Sequence, residues 1–247
     1  NLDLVITGRD ANGNYTATLY LGDGDGGFTD AEAGLTEVRL GSSSLGDVDG
    51  DGHLDLVITG RDANSGDPSA TLYLGDGTGG FTDAQAGLTG VGGGFSASSS
   101  SLGDVNGDGT LDLVITGQDA NRDPTATVYL GDGTGGFTDA QAGLTGVRYS
   151  SSSLGDVNGD DNLDLVITGR DANGNYTATL YLGDGDGGFT DAEAGLTEVR
   201  LGSSSLGDVD GDGHLDLVIT GRDANSGDPS ATLYLGDGTG GFTDAQA

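Results

Sequence analysis

A seven-residue segment, LDLVITG, occurs five times in this chain, and its repetition limits the possible folds more than any other feature. The copies begin at Leu2, Leu54, Leu111, Leu163 and Leu215, at spacings of 52, 57, 52 and 52 residues. Residues 1–86 also recur unchanged as residues 162–247. A chain with such a long fixed period is expected to fold as an array of equivalent units that pack on their neighbours.

Each unit has the pattern of short β-strands. In LDLVITG, residues Leu54, Leu56 and Ile58 alternate with the residues between them, which is the period of a strand rather than of a helix. Gly-rich turns divide the unit into four predicted strands: SSSLGDV (strand A), LDLVITG (B), ATLYLGD (C), and GGFTDA with the following AGLTEV (D).

Four antiparallel strands in about 50 residues are typical of a propeller blade. The sequence therefore predicts an all-β fold, a β-propeller array of five blade units, the first without its inner strand A. The predicted units are residues 1–40, 41–93, 94–148, 149–201 and 202–247. A β-solenoid of the nonapeptide calcium type is the alternative, but its motif would recur every nine residues or so.

The segment between strands A and B carries the chemistry of the chain. Residues 47–55 form a DxDGDGxxD loop, which occurs four times, with Asn in place of the second Asp in two copies. Calcium takes six to eight oxygen ligands, and the carboxylates of positions 1, 3, 5 and 9 with the carbonyl of position 7 can supply them. The glycines allow the loop to curl. An acidic turn without a metal is the simpler alternative.

The predicted ligands occupy the same five positions in each copy. They are Asp47, Asp49, Asp51, His53 and Asp55; Asp104, Asn106, Asp108, Thr110 and Asp112; Asp156, Asn158, Asp160, Asn162 and Asp164; and Asp208, Asp210, Asp212, His214 and Asp216. About four calcium ions are expected, with His53, Thr110, Asn162 and His214 contributing backbone oxygen.

One complete loop and one partial loop depart from the pattern. Asp161 stands where the other copies have Gly; because Asp tolerates a left-handed backbone better than most residues, we expect its site to survive but to bind more weakly. Asn1 and Asp3 are the remainder of a fifth loop, whose site is expected to be broken.

These residues resemble FG-GAP repeats, also called VCBS-type repeats, which form the blades of integrin α-subunit propellers and of some fungal lectins. The resemblance rests on SLGDVDGDGHLDLVITG (residues 44–60) and YLGDGTGGFTDA (residues 73–84) and extends over the whole chain. It implies a ring of usually seven blades, in which calcium in the A–B loops has a structural role. It also implies recognition of a glycan or a protein.

Alternation of strand direction predicts two chemically different faces. The A–B loops and C–D hairpins should share one face, and the B–C and D–A connections, which contain all eight arginines, should share the other. Both length insertions also fall in the second group, and binding residues tend to lie on variable loops. The candidate ligand residues are therefore Arg39, Arg61, Arg122, Arg148, Tyr149 and Phe95. Local ion pairing of an Arg, as in Arg61–Asp62, is the simpler alternative.

Charge and composition exclude several classes of function. The formal charge of −32 disfavours binding to nucleic acid or anionic lipid, and no apolar stretch is long enough to insert into a membrane. The chain has no Cys, and its two His are both at loop position 7, so no catalytic constellation is expected and the protein is predicted not to be an enzyme. We expect a secreted or cell-surface protein, with self-association to complete the ring as a further expectation. The alternative is a spacer, filament unit or designed repeat scaffold.

Overall fold

The computed structural model describes residues 3–92 and 97–245. In this part of the chain 19 β-strands occur and no helix. The strands are β1 (Leu4–Arg9), β2 (Tyr15–Gly22), β3 (Phe28–Asp30), β4 (Val38–Gly46), β5 (Asp55–Asp62), β6 (Pro68–Gly75), β7 (Phe81–Asp83), β8 (Ser99–Gly103), β9 (Asp112–Gln118), β10 (Pro124–Gly131), β11 (Phe137–Asp139), β12 (Arg148–Gly155), β13 (Asp164–Arg170), β14 (Tyr176–Gly183), β15 (Phe189–Asp191), β16 (Val199–Gly207), β17 (Asp216–Asp223), β18 (Pro229–Gly236) and β19 (Phe242–Asp244). None of the described residues belongs to a helix that could cross a membrane.

The strands form the predicted antiparallel sheets in the order A, B, C, D. Blades 2 to 5 comprise β4–β7, β8–β11, β12–β15 and β16–β19, and blade 1 has only β1–β3, which are strands B, C and D. A single bridge between Thr16 and Val38 joins the first two blades into one sheet. The all-β blade architecture is thus confirmed, and in the described residues blade 1 comprises strands B, C and D.

Strand D is shorter than the sequence predicts. It contains only the FTD residues, for example β3, and the AGLTEV segment was wrongly included in it. Instead of continuing the strand, this segment crosses to the next blade, where Leu35 is buried and the amide of Thr36 donates to the hydroxyl of Tyr73 at 2.9 Å. The segment therefore joins two blades rather than extending one.

The hydrophobic cores lie between successive blades. In strand B of blade 3, Val114 faces blade 4, whereas Leu113 and Ile115 face blade 2. All three are buried. The same alternation recurs at the other junctions, so the period-two pattern of LDLVITG reflects a strand covered on both faces.

Serine side chains link the inner strands of successive blades. The hydroxyl of Ser44 donates to the carbonyl of Ser100 at 2.9 Å, that of Ser101 to Ser152 at 3.2 Å, and that of Ser153 to Ser204 at 3.0 Å. Small polar side chains suit this position, because the inner strands lie side by side without a shared backbone ladder. The SSS segments therefore serve packing between blades.

Because each core needs two blades, the same substitution should have different effects at different places in the array. Leu113 is fully buried, whereas the equivalent Leu4 of blade 1 is 43% exposed. We expect Leu113→Ala to lower the free energy of unfolding by about 2–5 kcal/mol, and Leu4→Ala by less than about 1 kcal/mol. Chemical denaturation of the two variants tests this, and equal losses would contradict the inter-blade core.

Candidate metal loops and the opposite face

The four A–B loops connect the end of each strand A to the first residue of strand B. Their curl depends on glycines in the left-handed region, such as Gly50 (φ 74°) and Gly52 (φ 89°) at positions 4 and 6. These positions point amide groups inward, and the amide of Gly52 donates to Oδ2 of Asp47 at 3.0 Å. The loop therefore closes around the carboxylate of position 1.

Asp161 keeps this conformation, as predicted. Its φ is 69°, close to the 86° of the equivalent Gly109. Its amide donates to Oδ2 of Asp156 at 3.0 Å, the same bond that Gly109 makes to Asp104 at 2.9 Å. The backbone of this loop is thus unchanged by the Gly-to-Asp difference.

The carboxylate at position 9 fastens the loop to the rest of its blade. Asp112 is fully buried; its Oδ2 accepts the amide of Val105 at 2.8 Å, and its Oδ1 accepts the amide of Gly131, at the end of strand C, at 2.8 Å. Equivalent pairs of bonds occur at Asp55, Asp164 and Asp216. The link to strand C was not predicted, because the sequence identifies position 9 only as a metal ligand.

Two loops bring three carboxylates together. Oxygen atoms of Asp47, Asp49 and Asp55 lie within 4.8 Å of one another, and those of Asp208, Asp210 and Asp216 do the same. Moreover, Oδ1 of Asp47 is buried and has no hydrogen-bond partner. A buried carboxylate oxygen without a donor, beside two further carboxylates, fits a cation, so the residues of this loop are suited to a metal ion.

The other predicted ligands lie at the same loops in different roles. Asp51, at position 5, accepts the amide of His53 at 2.8 Å and is outside the group of three. In the loops with Asn at position 3, the amides of Asn106 and Asn158 donate to Asp108 and Asp160, each at 3.0 Å. Whether any of these residues binds metal stays a prediction.

The side chains at position 7 face the C–D hairpin rather than the centre of the loop. Those of His53, Asn162 and His214 lie against Gly77, Gly185 and Gly238, where a Cβ would come within 2.6 Å of them. The Thr110 hydroxyl donates to Asp108 at 2.6 Å. Because these side chains point away from the centre of the loop, the backbone carbonyl is the group of position 7 that could bind a metal ion there.

Burial and mutual repulsion act against ionisation of some carboxylates in these loops, whereas hydrogen bonds from Thr110 and Asn162 lower the pKa of Asp108 and of Asp160. Burial, followed by the charges of Asp55, Asp51 and Asp47, raises the pKa of Asp49. Burial likewise raises the pKa of Asp112 and of Asp164, with smaller contributions from neighbouring carboxylates. In the last blade, the hydrogen bond from Gly236 is the largest effect and lowers the pKa of Asp216. A bound cation would reduce the repulsion between the carboxylates in the loops of blades 2, 3 and 4.

The arginines after strand B brace their own turns. Nε of Arg9 donates to the carbonyl of Gly13 at 2.8 Å, and Arg170 does the same to Gly174 at 2.9 Å. The corresponding bonds in the other units are Arg61 to Gly66, Gln118 to Arg122 and Arg222 to Gly227. A Gln in one unit makes the same bond, so the position serves the turn in all five units.

Arginine side chains on this face also lie against tyrosine rings. The guanidinium groups of Arg9 and Arg39 lie 5.9 and 5.7 Å from the ring centre of Tyr15, and that of Arg200 lies 5.2 Å from that of Tyr176. These arginine contacts were not predicted from the sequence. The only sequence signal is that NYT occurs twice, at these two tyrosines.

Of the remaining candidate ligand residues, Arg148 and Tyr149 are neighbours at the start of β12, and Arg122 lies in blade 3. Arg148 pairs with Arg170 across strands A and B. Tyr149 follows in a bulge with φ 54°, and Arg122 is exposed at a B–C turn with φ 73°. Phe95 lies outside the described residues. The ligand role of these residues stays a prediction.

Comparison with known proteins gives the family. The FG-GAP-like repeat matches residues 1–58, 47–115, 104–167 and 156–219, so the chain belongs to this repeat family. No curated protein sequence matches the chain. A similar solved structure is that of the V. cholerae biofilm matrix protein Bap1, with 18% identity and a TM-score of 0.49, over 97% of this chain and 38% of that one. The chain thus spans well under half of the length of Bap1.

The residue at position 9 accepts two hydrogen bonds from the protein itself, so its contribution to stability can be tested in the absence of metal ions. In Asp112→Asn the new amide group cannot accept a hydrogen bond, so a buried backbone amide loses its partner. We expect a loss of about 1–3 kcal/mol in the free energy of unfolding, measured by denaturation in excess chelator. Asp108→Asn, at exposed position 5 of the same loop, is the matched control and should change stability by about 0.5 kcal/mol or less. Equal effects of both would contradict the fastening role of Asp112.

Proposed function

We propose that this protein is a calcium-stabilised propeller array that acts by recognition or adhesion outside the cell and not by catalysis. The observation that carries the calcium proposal is the buried, unpartnered Oδ1 of Asp47 beside Asp49 and Asp55. The FG-GAP-like repeats that tile the chain support the same conclusion.

Calcium would be held by positions 1, 3 and 9, with positions 5 and 7 completing the oxygen set. Calcium would contribute positive charge, since four divalent ions would bring the formal charge of the protein from −32 to −24. The protein's own part is to hold the carboxylates close together, through the loop amides around Asp104 and the two bonds of Asp112. Calcium therefore stabilises the blades and does not react.

Recognition is assigned to the face opposite the metal loops. Every Arg of the chain lies at this end of the blades, seven of them in the terminal residues of strands A and B and Arg122 in a B–C turn, which suits a glycan or protein ligand with acidic or hydroxyl groups. Tyr149 occupies a bulge position that holds Leu40 and Leu201 in the equivalent units, all three at positive φ, and its aromatic ring is the feature that distinguishes blade 4 there. A secreted or cell-surface location follows from this proposal.

A structural spacer or filament unit, natural or designed, is the second candidate. It is favoured by the arginines after strand B, because in four units their side chains are hydrogen-bonded to their own turns. In this alternative the near-identical units serve length and stiffness, and no ligand is needed.

Calcium should raise the thermal stability of the protein. We expect the melting temperature in millimolar calcium to exceed that in excess chelator by roughly 10 °C or more, since several sites bind only the folded chain. Asp47→Ala should reduce the stoichiometry, measured by calorimetric titration, from about four ions by one. An unchanged melting temperature would contradict structural calcium.

A binding screen separates recognition from a spacer role. The calcium-loaded protein is tested against an array of glycans and matrix proteins. For a true ligand we expect Tyr149→Ala to weaken binding roughly tenfold, because central aromatic residues dominate many interfaces. Asp186→Ala, in the exposed C–D hairpin at the opposite end of the same blade, is the control and should keep the affinity. Absence of any ligand would support the spacer.

A further inference from the structure

Arginines lie opposite one another where strands A and B meet the D–A and B–C connections. The opposed residues are Arg39 and Arg61, Arg148 and Arg170, and Arg200 and Arg222. These pairs contain six of the eight arginines of a chain whose formal charge is −32. Like charges directly opposite each other destabilise an antiparallel sheet, and an anion bound between them would remove that cost. The arrangement therefore favours the binding of an anion at this end of the blades.

The arginine pairs of blades 4 and 5 are joined through one tyrosine. Arg170 lies opposite Tyr176 in strands B and C of blade 4, and its guanidinium carbon is 5.5 Å from the centre of the ring. The guanidinium carbon of Arg200, in strand A of blade 5, is 5.2 Å from the same ring centre. One continuous strip across the two blades, which we name the arginine strip, therefore consists of Arg148, Arg170, Tyr176, Arg200 and Arg222.

The carboxylates that follow the strand B arginines are engaged in their own turns. Oδ1 of Asp171 accepts the amide of Asn175 at 2.7 Å, and Oδ1 of Asp223 accepts the amide of Ser226 at 2.6 Å. Glu198, in the D–A connection between blades 4 and 5, lines a cleft whose lining includes none of the four arginines of the strip. The positive charge of the arginine strip is thus not matched by these three carboxylates.

The guanidinium groups of the strip are partly fixed before any ligand binds. Nε of Arg170 donates to the carbonyl of Gly174 at 2.9 Å, and Nη1 of Arg222 donates to that of Gly227 at 3.1 Å. These bonds use one of the three nitrogens of each group. Nε of Arg148 is buried and has no hydrogen-bond partner among the described residues. A ligand would therefore meet donors whose freedom is already reduced, which lowers the entropy cost of binding.

The chemistry of an opposed arginine pair favours a tetrahedral oxyanion. A carboxylate has two oxygens, and a single arginine can bind both of them. A sulfate or phosphate ester has three terminal oxygens, so both arginines of a pair can donate to one group. A phosphate ester carries a charge of about −1.5 to −2 at pH 7, whereas a sulfate ester carries a single charge and is repelled less by the acidic remainder of the chain. A sulfate ester is therefore the anion that fits the pair best.

We propose that the arginine strip binds a saccharide that carries two sulfate ester groups, one at each arginine pair. The proposal rests on the recognition function proposed above and names its ligand. Arg148 and Arg170 would donate to the first sulfate group, and Arg200 and Arg222 to the second. Tyr176 would keep Arg170 and Arg200 in place, because both guanidinium groups lie against its ring.

The acidic A–B loops are too far from the strip to prevent this binding. Strand β13 runs from Asp164, at the end of the A–B loop, to Arg170, in the arginine strip. At about 3.3 Å per residue, the two ends of this strand are roughly 20 Å apart. The Debye length at physiological ionic strength is about 8 Å, so the charges of the loop are largely screened at the strip.

The test is titration of the 247-residue chain, in calcium, into a fluorescent chondroitin tetrasaccharide that carries two sulfate groups. The same tetrasaccharide after desulfation keeps its carboxylates and is the ligand control. We expect saturable one-to-one binding by fluorescence anisotropy, roughly tenfold tighter for the sulfated form. Arg200→Gln should weaken binding roughly tenfold, because it removes charge-assisted hydrogen bonds. Thr239→Asp makes the same change in formal charge in the C–D hairpin of blade 5, where equivalent units have Asp25 and Asp186, and should keep the affinity.

No saturable binding would overturn the proposal, as would equal affinity for the two tetrasaccharides or equal losses in the two chain variants. NMR signals of the arginine Nε–H groups locate the ligand: shifts confined to Arg148, Arg170, Arg200 and Arg222 support the strip, and shifts mainly at other arginines contradict it. If an unsulfated glycan or a protein binds in the screen described above and the sulfated tetrasaccharide does not, the recognition function stands and only this site is removed.

Discussion

Every part of this structure depends on the packing of one blade against the next. A single four-stranded sheet has two apolar faces and cannot cover either by itself. Leu113 of blade 3 is covered by blade 2, and Val114 by blade 4. Tyrosines of strand C add a directional contact, since the hydroxyl of Tyr129 accepts the amide of Thr89 in the preceding blade at 3.1 Å. Stability therefore belongs to the junctions between units.

The A–B loops are connected to this packing through position 9. Asp112 receives one hydrogen bond from the loop and one from the end of strand C, and it lies at the start of the strand that both neighbouring blades cover. Ordering of the loop would therefore also order the blade. The face with the B–C and D–A connections lies at the opposite ends of the same strands, where Arg9 and its equivalents donate hydrogen bonds to the carbonyls of their own turns. Both faces are consequently held by one rigid set of strands.

Much of this arrangement was predictable from local sequence patterns. The period-two pattern gives strand B, and the glycines at Gly50 and Gly52 give the curled loop, because both depend on residues that are close in the chain. Strand D was predicted too long, since Leu35 and Thr36 contact the next blade, and that contact is tertiary. The turn bracing by Arg170 was missed for a similar reason: its acceptor is a carbonyl that only the folded turn brings near.

Hydrogen exchange at individual amides, measured with calcium and with chelator, tests most directly whether ordering of the loops by calcium stabilises the strands of the blades. The account predicts that calcium slows exchange at Val105 and Gly131, which both donate to Asp112, and at the neighbouring strand amides of blade 3. Amides of β1, which adjoin no complete metal loop of their own blade, should change little. Identical exchange in the two conditions, or equal slowing in β1 and blade 3, would contradict the account.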